Sequence, residues 1–257
     1  MIIGRYPRSK SSGSSFSPLD ITGCQLWLDA SDSSTITLNG ADVAQWNDKS
    51  GNNNNLGQTV VARQPFYNIS AQNSLNVVDF TWNELTSIVD FDLTSTDKLT
   101  VFMVLKNDRD ATEIIIEQAV AGGNPGSPEG GLDIINIAGG DCRGFVKTNA
   151  AVGNYSHFSP VALTDWNIIT YQFDIAQAKE LEVYKVFEKG IEKTLTIDSA
   201  TKDNTANFPS EPLTIGARPI NVLPWDGKMG EVIIYDTVLS TADRESVEAY
   251  LTRWAIT

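Results

Sequence analysis

The feature that most constrains the fold is a series of short runs rich in β-branched and aromatic residues, separated by Gly, Asn, Asp and Pro. The run KLTVFMVLK, residues 98–106, is apolar almost throughout, which predicts a strand that is covered on both faces or central in a sandwich. Many strands at regular spacing are typical of a β-sandwich or jelly roll. The other predicted strands cover residues 24–30, 74–80, 111–118, 131–138, 143–148, 166–174, 179–190, 191–198, 211–217 and 229–236.

Turn residues predict how neighbouring strands connect. The segment EKGIEK, residues 188–193, is typical of a tight hairpin in which Gly190 takes a positive φ. Before it, Val186 breaks the alternation of apolar and polar residues, which predicts a β-bulge there. The segment GGNPGSPEGG, residues 122–131, predicts an irregular loop. We find no internal repeat and no linker after residue 24, so the sequence predicts one domain over residues 24–257.

The segment LSTADRESVEAYLTRW, residues 239–254, predicts one amphipathic helix near the C-terminal end. Ser240 is the predicted N-cap, and Asp243 follows three residues later, as in an acidic variant of the capping box. The predicted apolar face follows the helical period and contains Val247, Tyr250, Leu251 and Trp254. We expect this face to pack on the sandwich.

The net charge of −13 is unevenly distributed over the 257 residues. The acidic body repels nucleic-acid phosphates and anionic lipid surfaces, so the sequence disfavours both as partners. Residues 1–23 form a predicted extended arm that is rich in Gly and Ser and lacks the apolar stretch of a secretory signal peptide. Through residues 1–20, this basic arm is expected to dock on other proteins or on copies of the chain. Its predicted assembly residues are Arg5, Tyr6, Arg8 and Lys10.

The chain has only two cysteines, Cys24 and Cys142. Two are too few for a disulfide scaffold, and their spacing is not that of a zinc site. We expect two buried free thiols. A disulfide between them is the alternative that the sequence leaves open.

The segment GKMGEVIIYDTVLSTADRESVEAYLTRW, residues 227–254, resembles the closing strand and helix of bacterial and phage laminin-G-like domains. Other matching segments are QLWLDASD (25–32), VAQWNDKSGNNNN (43–55), RQPFY (63–67), NVVDF (76–80), LTVFMVLK (99–106) and LTIGAR (213–218). The resemblance spans about residues 24–254 and implies an all-β, two-sheet concanavalin A-like jelly roll with a C-terminal amphipathic helix. It leaves function open, because lectins, glycosidases, adhesion modules and virion parts share this fold.

Glycoside hydrolysis is the first chemistry to test, because one family of jelly-roll glucanases has the strand pattern Glu-x-Asp-x-Glu. The segment EIIIE, residues 113–117, has Ile115 at the central position. On one strand, Glu113 and Glu117 would lie about 13 Å apart, whereas catalytic pairs need about 5–9.5 Å. We interpret both as acids on a solvent-facing strand face. The single histidine, His157, has no nucleophile motif near it and is interpreted as a loop residue. The sequence therefore predicts no catalytic residue.

The asparagine-rich segment WNDKSGNNNN, residues 46–55, allows two interpretations. Oxygen ligands from Asp48, Asn52, Asn53 and Asn54 would suit calcium. The spacing departs from that of an EF-hand, however, and Asn and Gly also favour left-handed turns for conformational reasons alone. The residues therefore favour a turn, with Trp46 turned inward before it, over a calcium site. Apart from this candidate, the sequence predicts no cofactor.

Carbohydrate binding requires an exposed aromatic ring beside amide or carboxylate groups. Trp82 is the first candidate, with Asn83 and the acidic residues Asp79 and Glu84 near it. The second candidate is Trp225 in a Pro/Gly-containing loop, with Asp226 beside it. The other four tryptophans lie in predicted strands or on the apolar face of the helix and are interpreted as core: Trp27, Trp46, Trp166 and Trp254.

Three functional hypotheses follow. The first is a non-enzymatic structural protein of a phage virion, as a capsid decoration or tail-associated protein that its N-terminal arm anchors. The second is a carbohydrate-binding module or adhesin that recognises surface glycans, located outside the cell or at its surface. A glycoside hydrolase is the third and least favoured.

Overall fold

The structure, a computed structural model, describes residues 16–119, 130–148, 154–160, 164–200, 204–218 and 221–256. Three earlier predictions lie wholly or largely outside these ranges. The assembly residues Arg5, Tyr6, Arg8 and Lys10 are among them, as is most of the predicted loop at 122–131. The predicted arm lies outside them except for residues 16–23.

The described chain is built from short strands followed by one helix, α1 (Thr241–Leu251). The first ten strands are β1 (Cys24–Asp29), β2 (Ile36–Asn39), β3 (Asp42–Trp46), β4 (Leu56–Gly57), β5 (Phe66–Gln72), β6 (Leu75–Asp79), β7 (Leu85–Ser87), β8 (Phe91–Asp92), β9 (Lys98–Asn107) and β10 (Glu113–Ala119). The next ten are β11 (Gly130–Ile137), β12 (Asp141–Val146), β13 (Asn154–Phe158), β14 (Asn167–Asp174), β15 (Val183–Glu188), β16 (Ile191–Glu192), β17 (Thr196–Ala200), β18 (Ser210–Glu211), β19 (Leu213–Ile215) and β20 (Gly227–Tyr235). This confirms the predicted all-β class with a helix near the C-terminal end.

The strands pair antiparallel in two series that form the two sheets of a sandwich. The first sheet runs in the order β5-β6-β20-β9-β14-β15-β16, with β1 beside the second half of β20. The second sheet runs in the order β2-β3-β4-β7-β19-β10-β11-β12-β13-β17. A single residue pair, Asp42 with Phe66, joins the sheets at β3 and β5. The strands β8 and β18 form a separate two-stranded ribbon.

The central strands of the first sheet are covered on both faces, as the run at 98–106 predicts. In β9, Val101 and Met103 belong to the core between the sheets, whereas Phe102 and Val104 belong to a second core beneath α1. This division follows the two-residue alternation of side chains along a strand. The fold therefore has three layers: the helix, the first sheet and the second sheet.

The helix begins and packs as its sequence predicts. The Ser240 hydroxyl accepts a hydrogen bond from the backbone N–H of Asp243 at 3.2 Å and donates one to the Asp243 carboxylate at 2.8 Å. Val247, Leu251 and Trp254 are fully buried on the predicted apolar face. Because most of the stability of such a helix comes from packing of its apolar face, α1 depends on the first sheet for its order.

A buried carboxylate joins the helix to the first sheet. Glu231 in β20 is 0% exposed. One of its oxygens accepts hydrogen bonds from the indole N–H of Trp27 at 2.8 Å and from the hydroxyl of Tyr250 at 2.9 Å. The other accepts from the indole N–H of Trp254 at 2.9 Å and from the guanidinium of Arg253. Four donors from β1 and from the C-terminal helical segment therefore meet on one side chain.

Residues 16–23, which the sequence assigns to the arm, pack against the body. The ring of Phe16 lies 6.0 Å from that of Tyr250, centroid to centroid. The carbonyl of Pro18 accepts a buried hydrogen bond from the hydroxyl of Tyr235 at 2.9 Å. The body of the fold therefore begins before residue 24.

Both cysteines are free thiols, as expected, but only Cys142 is fully buried, whereas Cys24 is partly exposed. Burial raises the pKa of each thiol to about 12. Neither thiol is therefore ionised to a useful extent near neutral pH, which disfavours both as nucleophiles.

Local differences from the predicted strands have identifiable causes. The hairpin at Lys189 and Gly190 has φ values of 51° and 77°, as its sequence predicts. The bulge lies at Tyr184 instead of Val186, because Val186 pairs regularly with Tyr171 and fills the core. Two predicted strands are each broken into shorter pieces, at 191–198 and 211–217. Among the described residues, no helix is long and apolar enough to cross a bilayer.

Replacing the buried carboxylate tests the join between helix and sheet. We expect Glu231→Ala to lower the free energy of unfolding by about 3–5 kcal/mol, because it leaves the donors of Trp27, Tyr250 and Trp254 without their acceptor and removes one of the two carboxylates that pair with Arg253. Glu245→Ala removes a glutamate whose side chain is 62% exposed and should change stability by less than about 0.5 kcal/mol. Urea unfolding measures both. Equal losses in the two variants would contradict the role given to Glu231.

Candidate functional site

Trp82 lies on the loop that leads from β6 into β7 and is 51% exposed. Its φ is 58°, a left-handed value that is unusual for a bulky residue. Its backbone N–H donates to the carbonyl of Trp225 at 3.0 Å, which fixes the turn. Neighbouring packing therefore keeps the chain in a strained conformation that turns the indole outward. Strain of this kind is concentrated at functional sites in proteins.

Arg109 packs over the indole of Trp82, with its guanidinium carbon 5.5 Å from the ring centroid. Its Nε donates to Glu113 at 2.7 Å. Burial raises the pKa of Glu113 above its usual range, and Arg109 opposes that rise. The Glu113 carboxylate thus holds the guanidinium against the ring. Since a ring has two faces and half of Trp82 remains exposed, the arrangement offers a rigid aromatic surface with unused N–H donors beside it.

The second tryptophan candidate is wrong. Trp225 is 0% exposed, and its indole N–H donates to the side chain of Asn107 at 2.7 Å. Its ring packs 5.7 Å from that of Phe80, so Trp225 supports the Trp82 loop from below instead of facing solvent. Its neighbour Asp226 remains partly exposed, and its backbone N–H faces the Glu113 carboxylate.

The polar residues beside Trp82 differ in their availability. Asn83 is 9% exposed and lies against the end of β19, where a Cβ on Gly216 would come within 2.4 Å of the Asn83 carbonyl. Gly216 has a φ of 93°, so a glycine is required there both by conformation and by this close approach. Glu84 is 3% exposed and accepts from Arg63 at 3.3 Å. The Asp79 carboxylate accepts from Asn68 and Thr81, so neither acid is free for a ligand.

The asparagine-rich segment is a hydrogen-bonded loop between β3 and β4. Both oxygens of Asp48 accept from the protein itself: the backbone N–H groups of Trp27, Ser50 and Asn54 and the hydroxyl of Ser50 donate at 2.6–3.0 Å.

The asparagines complete this loop. The side-chain amides of Asn52 and Asn54 donate to backbone carbonyls at the start of β1 at 2.8–3.3 Å. Asn53 has a φ of 62°. These are the roles that the turn interpretation predicts. Within the described ranges, no three His, Cys, Asp or Glu side chains lie where they could share a metal ion.

The loop geometry predicts that calcium has no effect on stability. Because the Asp48 carboxylate already accepts four hydrogen bonds, we expect the same melting temperature in excess calcium and in excess chelator. Asp48→Ala should itself cost about 1–3 kcal/mol, since it leaves partly buried N–H donors without an acceptor. Calorimetry measures both quantities. A rise of several degrees with calcium in the parent protein, absent from Asp48→Ala, would restore the metal interpretation.

A row of paired residues crosses the second sheet on the face turned away from the first. Alternate residues such as Leu132 and Ile134 fill the core, so the intervening positions face outward. The paired outward positions, from β3 to β13, are Gln45, Gly57, Thr86, Thr214, Glu117, Asp133, Phe145 and Tyr155. We call this face of the second sheet the outer face.

Glu113 and Glu117 are buried, so their interpretation as solvent-facing acids is wrong. Glu113 is 0% exposed beside Arg109, and Glu117 is 5% exposed. The Nε of Arg218 donates to both oxygens of Glu117 at 2.9 Å. Each acid is compensated by an arginine: Arg109, four residues before Glu113, and Arg218, far from Glu117 along the chain. Burial of a carboxylate requires such a partner.

Asp133, opposite Glu117 on the next strand, is the least compensated acid of the outer face. Burial, aided by the negative charge of Glu117, raises the pKa of Asp133 well above its usual range. Arg218 lies 3.8 Å from its carboxylate and opposes the rise only in part. Its protonated form is therefore favoured in the folded chain.

This shift predicts a pH dependence of stability. As pH rises above about 4, the unfolded chain releases the Asp133 proton while the folded chain retains it, so Asp133 lowers stability progressively. Asp133→Asn cannot ionise, and its stability relative to the parent should increase from pH 4 to pH 7. Chemical unfolding across this range measures the difference, with the exposed Asp165→Asn as control. A difference that stays constant with pH would contradict the shift.

At one end of the outer face, the paired residues are aromatic. The rings of Phe145 and Tyr155 lie 5.7 Å apart with an angle of 36° between them, and both are partly exposed. The guanidinium of Arg143 packs 4.8 Å from the Tyr155 ring and pairs with Asp198 at 2.7 Å. We call these four residues, with His157, the aromatic patch.

His157 is a strand residue, which corrects its interpretation as a loop residue. It lies in β13, with its two ring nitrogens 3.4 Å from Asp141 and 3.1 Å from Asp198. The sequence analysis missed β13 and with it the patch. The alternation in NYSHF, residues 154–158, is the signal that would have predicted this strand.

At the other end of the outer face lies a groove of about 440 Å³. It is lined mainly by small polar side chains and backbone of β3, β4 and β7, among them Gln45, Gln58 and Thr86. Ile88 lines it as well and is 59% exposed. The groove is shallow and mixed in character, so it offers less specific chemistry than either aromatic surface.

The fold is similar to that of several toxin binding domains. It matches the botulinum neurotoxin serotype D ligand-binding domain in complex with N-acetylneuraminic acid with a TM-score of 0.61 and 12% identity, over 91% of this chain and 53% of that chain. A structure of the serotype D binding domain matches with a TM-score of 0.59 and 13% identity, over 89% of this chain and 51% of that chain. The binding domain of botulinum neurotoxin DC in complex with rat synaptotagmin II matches with a TM-score of 0.57 and 13% identity, over 91% of this chain and 52% of that chain.

Because the sequence identities are far below 25%, these similarities show a shared fold and nothing more specific. The chain spans about half the length of each of these toxin structures. No family model matches the sequence. No curated protein matches it either. The comparisons thus show a β-sandwich of the kind found in toxin binding domains, and they leave the resemblance to phage-type laminin-G domains as a prediction.

Proposed function

We propose that this chain is a non-enzymatic carbohydrate-binding domain in which Trp82 supplies the aromatic surface that stacks on a sugar ring. The observation that carries the proposal is a tryptophan half exposed in a left-handed backbone conformation, with Arg109 packed on its ring. A large indole gains by burial, so an exposed one that its neighbours hold outward is costly unless it serves a contact.

The groups around the indole suit the chemistry of a sugar. One face of a pyranose presents C–H groups, which pack on an aromatic ring, while its hydroxyl groups need donors and acceptors. Arg109 has five N–H donors and directs Nε and one terminal nitrogen at Glu113, which leaves others for a ligand. Asp226 supplies a partly exposed carboxylate at the same end of the sandwich. In this proposal, Trp82 provides affinity, and Arg109 and Asp226 provide orientation.

The structural neighbours support recognition over catalysis. They are ligand-binding and receptor-binding domains of toxins, and one was solved with N-acetylneuraminic acid. On this proposal, the domain acts at a surface that carries glycans, outside the cell or on a particle that contacts cells.

A virion role stays a prediction without support from these comparisons. Its basis, the basic arm with Arg5 and Arg8, lies outside the described residues.

Removal of the indole tests the proposal. We expect the parent chain to bind at least one glycan on an array, and Trp82→Ala to weaken that binding at least tenfold, about 1.4 kcal/mol. Stability should change little, because the side chain is half exposed and the new residue is small. Calorimetric titration of the glycan that the array identifies measures the affinity.

The matched control is Phe66→Ala, which removes an aromatic residue that is 47% exposed on β5. Its affinity for the same glycan should equal that of the parent. An array without any bound glycan, or equal affinities for the parent and Trp82→Ala, would overturn the proposal.

A further inference from the structure

We propose that the aromatic patch on the outer face is a second carbohydrate-contact site, separate from Trp82, that takes a neutral sugar. The choice of a sugar as the ligand rests on the proposed function. The location of the site and its residues rest on different observations, namely the pairing of β12 with β13 and the contacts of their outward side chains.

The first observation is that two large rings face outward together. Phe145 and Tyr155 are directly paired neighbours on β12 and β13, and the inward residues Cys142 and Val146 already fill the core at this point. The two rings are tilted by only 36° and are both partly exposed. They therefore form one broad apolar surface, about two strands wide, that no described element buries completely.

The second observation is the polar rim of this surface. Arg143 packs on one side of the Tyr155 ring and is fixed there by Asp198. Asp198 is also 3.1 Å from His157. The side chains of Arg143, His157 and Asp198 are 29%, 21% and 25% exposed, so each retains accessible surface. The rim thus places hydrogen-bond donors and acceptors around an apolar centre. A sugar ring needs both, because its C–H face packs on apolar surface and its hydroxyl groups form hydrogen bonds.

The charges of the rim favour a neutral sugar. Asp141 and Asp198 flank His157, and Arg143 alone is a permanent cation among these four. Two carboxylates face one guanidinium around the patch, and this excess of acidic groups repels the carboxylate of an acidic sugar at short range. Hydroxyl groups, which both donate and accept, match the mixed rim without this penalty.

The patch is too far from Trp82 for both to contact one monosaccharide. The Trp82 indole lies beside Arg109 and Glu113 at the start of β10. Phe145 is two strands away from β10, level with Glu117. At the usual strand spacing and rise, the two surfaces are therefore roughly 16 Å apart. One long glycan, or two separate branches, could engage both sites. In that case the two weak contacts would reinforce each other.

Nuclear magnetic resonance of the full chain separates the two sites. The probes are the methyl glycosides of glucose, galactose and mannose, with N-acetylneuraminic acid as the acidic comparison. We expect at least one neutral glycoside to shift the backbone amide signals of Phe145, Tyr155 and His157, in the parent and in Trp82→Ala alike. Phe145→Ala should weaken this response at least tenfold, whereas Tyr155→Phe, which keeps the ring, should retain most of it. Unchanged signals elsewhere in each variant show that it is folded.

The other possible results test the second site, the role of Trp82 and the choice of a neutral ligand separately. If neutral sugars shift Trp82 signals but none at the patch, the second site is overturned and the proposed function stands. If they shift the patch while no probe, N-acetylneuraminic acid included, shifts Trp82, the second site stands and the role of Trp82 fails. If no probe shifts either set of signals, both fail. If N-acetylneuraminic acid binds the patch as strongly as the neutral sugars, the assignment of a neutral ligand is overturned.

Discussion

The fold depends on one buried carboxylate. Glu231 accepts hydrogen bonds from two indole N–H groups, one phenol and one guanidinium, which come from β1, from α1 and from the segment that follows the helix. An unpaired buried charge would be costly, so these donors must assemble for the first sheet to close. Once they do, α1 covers one face of that sheet and the second sheet covers the other. The order of the three layers follows from this constraint, as does the identity of the surface that remains free.

The helix packs on the first sheet and leaves the outer face of the second sheet and the loops at its rim uncovered. Both aromatic surfaces lie there: Trp82 on a rim loop and the aromatic patch on the sheet. Between them, Glu117, Asp133 and Arg218 form a buried charged cluster. The cluster fills the middle of the face with buried, paired charges, so the exposed side chains lie toward its ends.

Much of this architecture is predictable from local sequence. The period of two in the strands, the helical period at 241–251, the Gly190 hairpin and the exposure of Trp82 all follow from short-range patterns. Features that depend on contacts between residues far apart in the sequence cannot be predicted in this way. Trp225 has the loop composition of an exposed residue, yet Asn107 offers its indole a buried acceptor. Glu117 is buried because Arg218, a hundred residues away in sequence, reaches it.

The proposed contact between Trp82 and a sugar is best tested by a crystal structure of the chain with its strongest array glycan. We expect a pyranose ring stacked on the exposed face of the Trp82 indole, with a hydroxyl group hydrogen-bonded to Arg109 and the left-handed backbone unchanged. A bound glycan that contacts the protein only elsewhere, with the indole still open to solvent, would contradict it.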